Sequence, residues 1–161
     1  MAELRIALIT CSDSRALGDA PDTAGRALMD EIDARGWIVI AYHVCPDEIE
    51  CIATSIIEIA EAEDADIIFT LGGTSVGPRD VTPDATELVC ERMVPGIAEV
   101  IRSCCSVTDT SFSLSRAVAG LRGSTLVINL PGGDEPSMKG FMTIADHLEA
   151  AVSRLRGSGA D

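Results

Sequence analysis

Aromatic residues are nearly absent. One Trp, one Tyr and three Phe make up 3% of the 161 residues, so any core has to be assembled from Ile, Val, Leu, Ala and Met. Lysine is scarcer still: Lys139 stands alone against eleven arginines, and the formal net charge is −14. A chain this acidic lacks the clustered Lys and Arg that neutralise nucleic-acid phosphates, so nucleic acid is excluded as a partner and an anionic ligand must be held by local groups. No apolar run approaches the roughly 20 residues of a membrane span. The charged start Met1-Ala2-Glu3-Leu4-Arg5 does not read as a signal peptide. The expectation is a cytoplasmic protein with no membrane association. Six cysteines, at positions 11, 45, 51, 90, 104 and 105, form neither a Cys-x-x-Cys pair nor a Cys/His cluster, and only His43 and His147 could join them. In a reducing compartment they are most simply small core or helix residues.

With 47% hydrophobic residues, a chain of this length buries roughly 70% of its unfolded surface and needs no disulfide or metal to fold. The expected organisation is one domain over residues 1–156 with a flexible tail at 157–161. Leu4 to Thr10 reads as a short buried strand feeding the polar stretch CSDSRALGDAPD. A helix capped by Asp22 or Thr23 follows, with Ala24, Ala27, Leu28 and Ile32 on its apolar face and Gly36 as its stop. Trp37 to Val44 is a second strand. Pro46-Asp47 opens a helix whose apolar face is Ile49, Ile52, Ala53, Ile56, Ile57 and Ala60. Asp66 to Leu71 is a third strand, running straight into Gly72-Gly73. Three strands separated by two helices imply right-handed βαβ crossovers. The fold class is therefore α/β, a three-layer αβα sandwich with a mainly parallel sheet. Helices are expected from Thr82 to about Arg92 and from Pro95, a strand from Ser124 to Leu130, and a last helix from Ser137 to Leu155. Ser115 to Gly123 carries no clear period.

In a parallel α/β sheet, ligands bind beyond the carboxyl ends of the strands. That rule selects four loops: 11–22, 45–48, 72–84 and 131–136. The third lies in TLGGTSVGPRDVTPDAT, residues 70–86. Gly72, Gly73 and Gly77 permit close backbone approach, while Thr74 and Ser75 offer hydroxyl donors suited to phosphate oxygens. It is neither a P-loop nor a dinucleotide fingerprint, because no Lys follows and the helix starts ten residues later. Arg79 and Asp80 set a cation beside a carboxylate that could hold a divalent metal. Asp47 reads either as a helix cap, the commoner use after a strand, or as a second metal-organising acid facing Asp80. Ser12, Asp13 and Ser14 read equally as ligand contacts or turn caps. Asn129 and Pro131-Gly132-Gly133 sit at another strand end, where an amide can fix a ring or a loop.

Together, TLGGTSVGPRDVTPDAT and LSRAVAGLRGSTLVINLPGG (residues 114–133) resemble the MogA/MoaB family of molybdenum-cofactor biosynthesis. The resemblance runs from TCSDS through VCPDE (44–48) to the final helix. It implies a homotrimer, with a hexamer as the alternative, that uses Mg²⁺ to transfer AMP from ATP to the terminal phosphate of molybdopterin. The product would then accept molybdate or tungstate on a molybdenum-insertion enzyme. Carried over by position, it implies catalytic and metal roles for Asp80 and Asp47. It implies substrate contacts for Ser12, Gly72, Gly73, Thr74, Ser75, Arg79, Ser115, Arg116, Asn129, Pro131 and Gly132. Two departures stand out: Ser75 replaces the family's usual glycine, and Asp134-Glu135 replace a small residue and a lysine in many relatives. Ser75-Val76-Gly77 is similar to the loop of molybdenum-insertion enzymes, but that class carries further domains. A non-catalytic molybdopterin-binding protein and a small mononucleotide-binding sensor are the alternatives. On this reading Gly73→Val blocks the ligand with little loss of stability.

Overall fold

The structure, a computed structural model, describes residues 3–157; the expected tail falls largely outside them. Six strands form one sheet in the order β2-β1-β3-β6-β5-β4. They are β1 (Arg5–Cys11), β2 (Ile38–Cys45), β3 (Ile67–Leu71), β4 (Arg92–Met93), β5 (Ala119–Arg122) and β6 (Thr125–Leu130). The first four in spatial order are parallel; β5 and β4 are antiparallel to their neighbours. The stretch 115–123, which has no period of its own, thus supplies β5. It is the first arm of a hairpin that turns at Gly123 (φ +56°) into β6.

Among the described residues, six helices accompany the sheet: α1 (Asp13–Ala16), α2 (Thr23–Ala34), α3 (Ile49–Ala62), α4 (Thr82–Val89), α5 (Pro95–Thr108) and α6 (Asp134–Leu155). A 3₁₀ turn spans Thr110–Leu114. The period of two along the central strands sorts the core into two layers. Ile6, Leu8, Ile67, Phe69, Leu126 and Ile128 face α2, α5 and α6, whereas Ala7, Ile9, Ile68 and Val127 face α3 and α4. Scarce aromatics are concentrated in the first layer, where Phe141 meets Trp37 and Phe69 edge-on at 6.2 and 5.4 Å between ring centroids. Among the described residues no helix is long and apolar enough to cross a membrane.

Several expected boundaries move. Asp22 does cap α2, accepting from Gly25 N at 3.0 Å, and also receives Thr10 Oγ1 at 2.6 Å and the Tyr42 hydroxyl. Pro46-Asp47 does not open α3: the extended Glu48 precedes its first residue, so Asp47 lies outside the helix and is not its cap. The buried face of α3 is centred on Ile52, Ile56 and Ile59, and Ile49 is exposed. α4 ends at Val89 because Cys90 turns extended, leading Arg92 into the sheet. α6 starts three residues early, at Asp134, since Gly133 (φ +91°) turns the chain and Pro136 fits the first helical turn.

The strand ends are close-packed through glycine. Gly72 has φ +91°, and a Cβ built there would lie 2.8 Å from the Cys11 carbonyl oxygen. Gly132 packs back to back with it, its own Cβ position only 3.3 Å from Gly72 Cα. Gly72→Ala combines a left-handed backbone with a steric clash, so it is expected to destabilise the fold by about 2 kcal/mol or more. Thermal unfolding should show a fall in Tm of roughly 5 °C or more; an unchanged Tm would remove Gly72 from this role.

Candidate functional site

Register brings the four loops to one edge of the sheet. Cys11 pairs with Cys45, Thr10 with Leu71 and Leu71 with Leu130. Beyond those pairs the loops are tied directly: Ser12 N donates to Cys45 O at 2.9 Å and Gly72 N to Leu130 O at 3.1 Å. A cavity of about 260 Å³ opens here. Gly73, Thr74, Ser75, Asp80, Ser115, Pro131 and Gly132 line it, seven of the positions singled out in the sequence. Ser111, Phe112 and Leu114 complete the wall. They belong to the 3₁₀ turn, which has no hydrophobic period to betray it; the one local signal is Asp109, whose carboxylate caps the turn through Ser111 N at 2.9 Å.

The remaining expected residues lie around the cavity. Asp47 and Asp13 exchange hydrogen bonds: Asp13 N donates to Asp47 Oδ2 at 3.1 Å, and Asp47 N to Asp13 Oδ1 at 2.9 Å. Arg79 then forks onto Asp13, with Nε and Nη2 at 3.0 and 2.9 Å from its two oxygens. Its partner is therefore Asp13, two loops away, and not the adjacent Asp80. That guanidinium holds the Asp13 carboxyl below the usual range. Asp47 moves the other way: burial pushes its pKa up, and the charges of Asp13 and Asp80 add to the push. One of its oxygens, Oδ1, is buried without a hydrogen bond, as is Thr82 Oγ1.

Asp80 closes its own turn, with Oδ2 accepting from Gly77 N at 2.9 Å and its backbone N donating to Gly77 O at 3.0 Å. Arg116 clasps the same loop. Its backbone N donates to Thr74 O at 2.7 Å, Nε to Ser75 O at 3.1 Å and Nη2 to Asp80 O at 2.6 Å, while Asp84 takes the outer edge of the guanidinium at 2.7 Å. Arg102 of α5 in turn holds Ser115 O and Ala117 O, each at 2.8 Å. Asn129 is fully buried, and its amide is committed to Thr70 Oγ1 and Thr86 Oγ1 at 2.8 and 2.9 Å and to Val118 N at 3.1 Å. Arg116 and Asn129 thus shape the site from within the protein. Ser12 caps the short α1 through Arg15 N at 3.4 Å.

Gly73 has φ +67°, and a Cβ there would lie 2.4 Å from Thr82 Oγ1 and 3.1 Å from Asp47 Oδ1. The expectation that Gly73→Val spares stability is corrected by this packing, since the substitution collides with the protein itself before any ligand arrives. All six cysteines are free; Cys11, Cys45 and Cys105 are buried, Cys51, Cys90 and Cys104 half-buried, and burial raises the Cys11 and Cys90 thiols to about 12 and about 11. Among the described residues no three His, Cys, Asp or Glu side chains form a metal-holding group.

Comparison with known proteins places this geometry in context. Residues 7–150 match the MoCF_biosynth family model, described as a probable molybdopterin binding domain. The chain is 34% identical to the molybdopterin adenylyltransferase of Helicobacter pylori over 134 residues, 82% of this chain and 76% of that protein. Among solved structures, the molybdopterin biosynthesis enzyme MoaB of Thermus thermophilus superposes with a TM-score of 0.90 at 35% identity, covering 98% of this chain and 99% of that one. The molybdopterin biosynthesis Mog protein of Mycobacterium ulcerans gives 0.89 at 30% identity over 96% and 99% of the two chains. The family-model match over residues 7–150, together with these relatives, makes the chain a member of the MoCF_biosynth family of molybdenum-cofactor biosynthesis.

Proposed function

We propose that the chain is a molybdopterin adenylyltransferase, transferring AMP from ATP to the terminal phosphate of molybdopterin with release of pyrophosphate. The observation that carries this reading is the single cavity edge at which the glycine loop, Asp80 and the Ser115 hydroxyl meet, with Asp47 directly behind Gly73. The activity named for the Helicobacter pylori relative supports it.

The chemistry asks for positioning and charge control. A phosphate monoester is anionic near neutral pH, so the nucleophile needs no strong general base. One of its oxygens bonds to the α-phosphorus of ATP, the bond from that phosphorus to the bridging oxygen breaks, and pyrophosphate leaves with the electron pair. Thr74, Ser75 and Ser115 provide hydroxyl donors for the phosphate oxygens, and Gly73 and Gly132 leave the backbone accessible. Arg79, exposed at the rim and locked to Asp13, holds positive charge where polyanions enter. Phe112 offers apolar surface for a ring system beside them.

The residues present fit Mg²⁺. Asp47 Oδ1 is a buried carboxylate oxygen lacking any donor, and Asp80 lines the cavity. Two carboxylates suit an ion that usually completes its shell with water and substrate phosphates. Bound there, Mg²⁺ would offset repulsion between the two phosphate groups. In the same reading the protein works in the cytoplasm as a homotrimer, residues 1–156 acting as one domain, and its product passes to a molybdenum-insertion enzyme.

Asp80→Asn keeps size and part of the hydrogen bonding but removes the charge. It should lower Mg²⁺-dependent pyrophosphate release by roughly 10² or more, with molybdopterin binding and Tm retained. Near-normal turnover with a lowered Tm would assign Asp80 to the turn alone. Asp47→Asn should also abolish activity, with the opposite sign on stability. Because the folded state raises the Asp47 pKa, its carboxylate opposes folding at pH values above that pKa, and the penalty fades as acid protonates it. The variant should therefore melt at or above the wild-type temperature at pH 7, with the difference shrinking toward pH 4; a large Tm loss at pH 7 would contradict this. Light scattering should report about three times the 16.9 kDa of the chain; a monomer at micromolar concentration would refute the trimer.

A further inference from the structure

Away from the candidate site, two hollows flank the first turns of α5. One, of about 260 Å³, opens toward α4 and β5 and is walled by Pro95, Ala98, Glu99 and Arg102 of α5 with Glu87 of α4. The other, of about 450 Å³, opens toward α6 and is walled by Gly96, Ile97 and Val100 of α5 with His147, Ala151 and Arg154 of α6. Helical spacing explains the division, since residues 95, 98, 99 and 102 fall on one side of a helix and 96, 97 and 100 on another. α5 therefore stands as a ridge between two concave surfaces. Each has an exposed apolar side chain in its wall, Met93 (41% exposed) in the first and Val100 (49%) in the second.

The two hollows differ in charge. Glu87 and Glu99 give the first its carboxylates; Arg102 lines it too, but its Nε and Nη2 are spent on the carbonyls of Ser115 and Ala117. The second is lined by Arg154 and His147 and by no carboxylate, in a chain with 26 acidic residues against 12 Lys and Arg. Among the described residues no ion pair engages Glu87, Glu99 or Arg154. Two copies of a chain with net charge −14 repel one another wherever carboxylates meet, so a groove free of them is the surface on which contact costs least. The acidic hollow complements that groove, yet the α5 ridge keeps the two apart within one molecule. A second copy can bring them together.

We propose that this face joins copies of the chain head to tail, the Glu87 and Glu99 hollow of one copy meeting the His147 and Arg154 groove of the next, with Met93 and Val100 covered between them. Two different surfaces meet, so the contact is heterologous and either closes into a ring or runs on as a filament. The hollows flank one helix and do not lie at opposite ends of the molecule, so successive copies turn about α5 and close a small ring. The inference rests on the trimer within the adenylyltransferase reading and gives that trimer its surface. It also reaches the candidate site, because Arg102 lines the acidic hollow and holds the carbonyl of Ser115, a residue of the cavity wall.

The test is the mass of the full chain across a concentration series, read by light scattering, for wild type, Glu99→Arg, Arg154→Glu, the two combined, and Val100→Asp, with circular dichroism reporting the fold. All three positions are exposed, so the substitutions leave the core intact. Each single charge reversal should raise the concentration at which the trimer half-dissociates by about tenfold or more. The combination restores opposite charges across the contact and should bring that concentration back to within about threefold of wild type. Val100→Asp should be a monomer at micromolar concentration. Folded single variants as trimeric as wild type overturn the assignment, as does a combination no better than the single variants, or a wild type that is a monomer or a dimer. Pyrophosphate release by the wild type, measured in parallel, separates the two levels. An active monomer sinks this interface and leaves the adenylyltransferase reading standing, whereas an inactive trimer that the reversals dissociate sinks that reading and keeps the interface.

Discussion

Contact between the backbones of Gly72 and Gly132, with the Cys11 carbonyl against the same glycine, is the constraint on which the rest of the site depends. Three strand ends can approach this closely only where no Cβ intervenes, and Gly72 must adopt φ +91° to leave the sheet at that point. From there the loop after β3 is committed to a path between the ends of β1 and β6. Its hydroxyls and Asp80 fall on the cavity side, and Gly73 falls over Asp47. A side chain at position 72 would separate the strands and the loops together.

Around that contact the polar residues divide into two groups. Arg116, Arg102 and Asn129 spend their donors on backbone carbonyls and buried side chains, holding the glycine loop to β5 and α5. Their contribution is to pre-organise the cavity wall. Asp13 and Arg79, half exposed at the rim, form a pair that is worth little to stability in water. Through Asp13 it ties the Asp47 loop to the loop after β3. In a strongly acidic chain, the hydroxyls of Thr74, Ser75 and Ser115 and the Arg79 guanidinium gather at one edge of the sheet.

The price of such a site is visible in Asp47 and Thr82. A buried carboxylate oxygen and a buried hydroxyl, both unpaired, are unfavourable for folding alone. Among the described residues no histidine lines the cavity, and burial raises the Cys11 thiol to about 12.

The sequence by itself determined the layers and the loops. Short apolar runs such as Leu4 to Thr10 and period-3.6 faces such as Ile52, Ile56 and Ile59 follow from which side chains must leave water, and Gly-Gly at 72–73 marks a place where the chain needs left-handed backbone. Seven of the expected contacts line the cavity for the same reason, being at strand ends that an α/β sheet gathers on one edge. Partnership was decided only in three dimensions. Arg79 precedes Asp80 in the chain but bonds Asp13, 66 residues away. Arg116, expected at the substrate, also holds loop carbonyls, Asn129 is buried, and Asp47 lies outside the helix it seemed to cap. β5 and the 3₁₀ wall with Phe112 gain their form from pairing with β6 and packing on α5, interactions that no local period encodes. Burial patterns are written in sequence spacing because they answer to water, whereas the choice of a hydrogen-bond partner answers to distances that exist only after the sheet has closed.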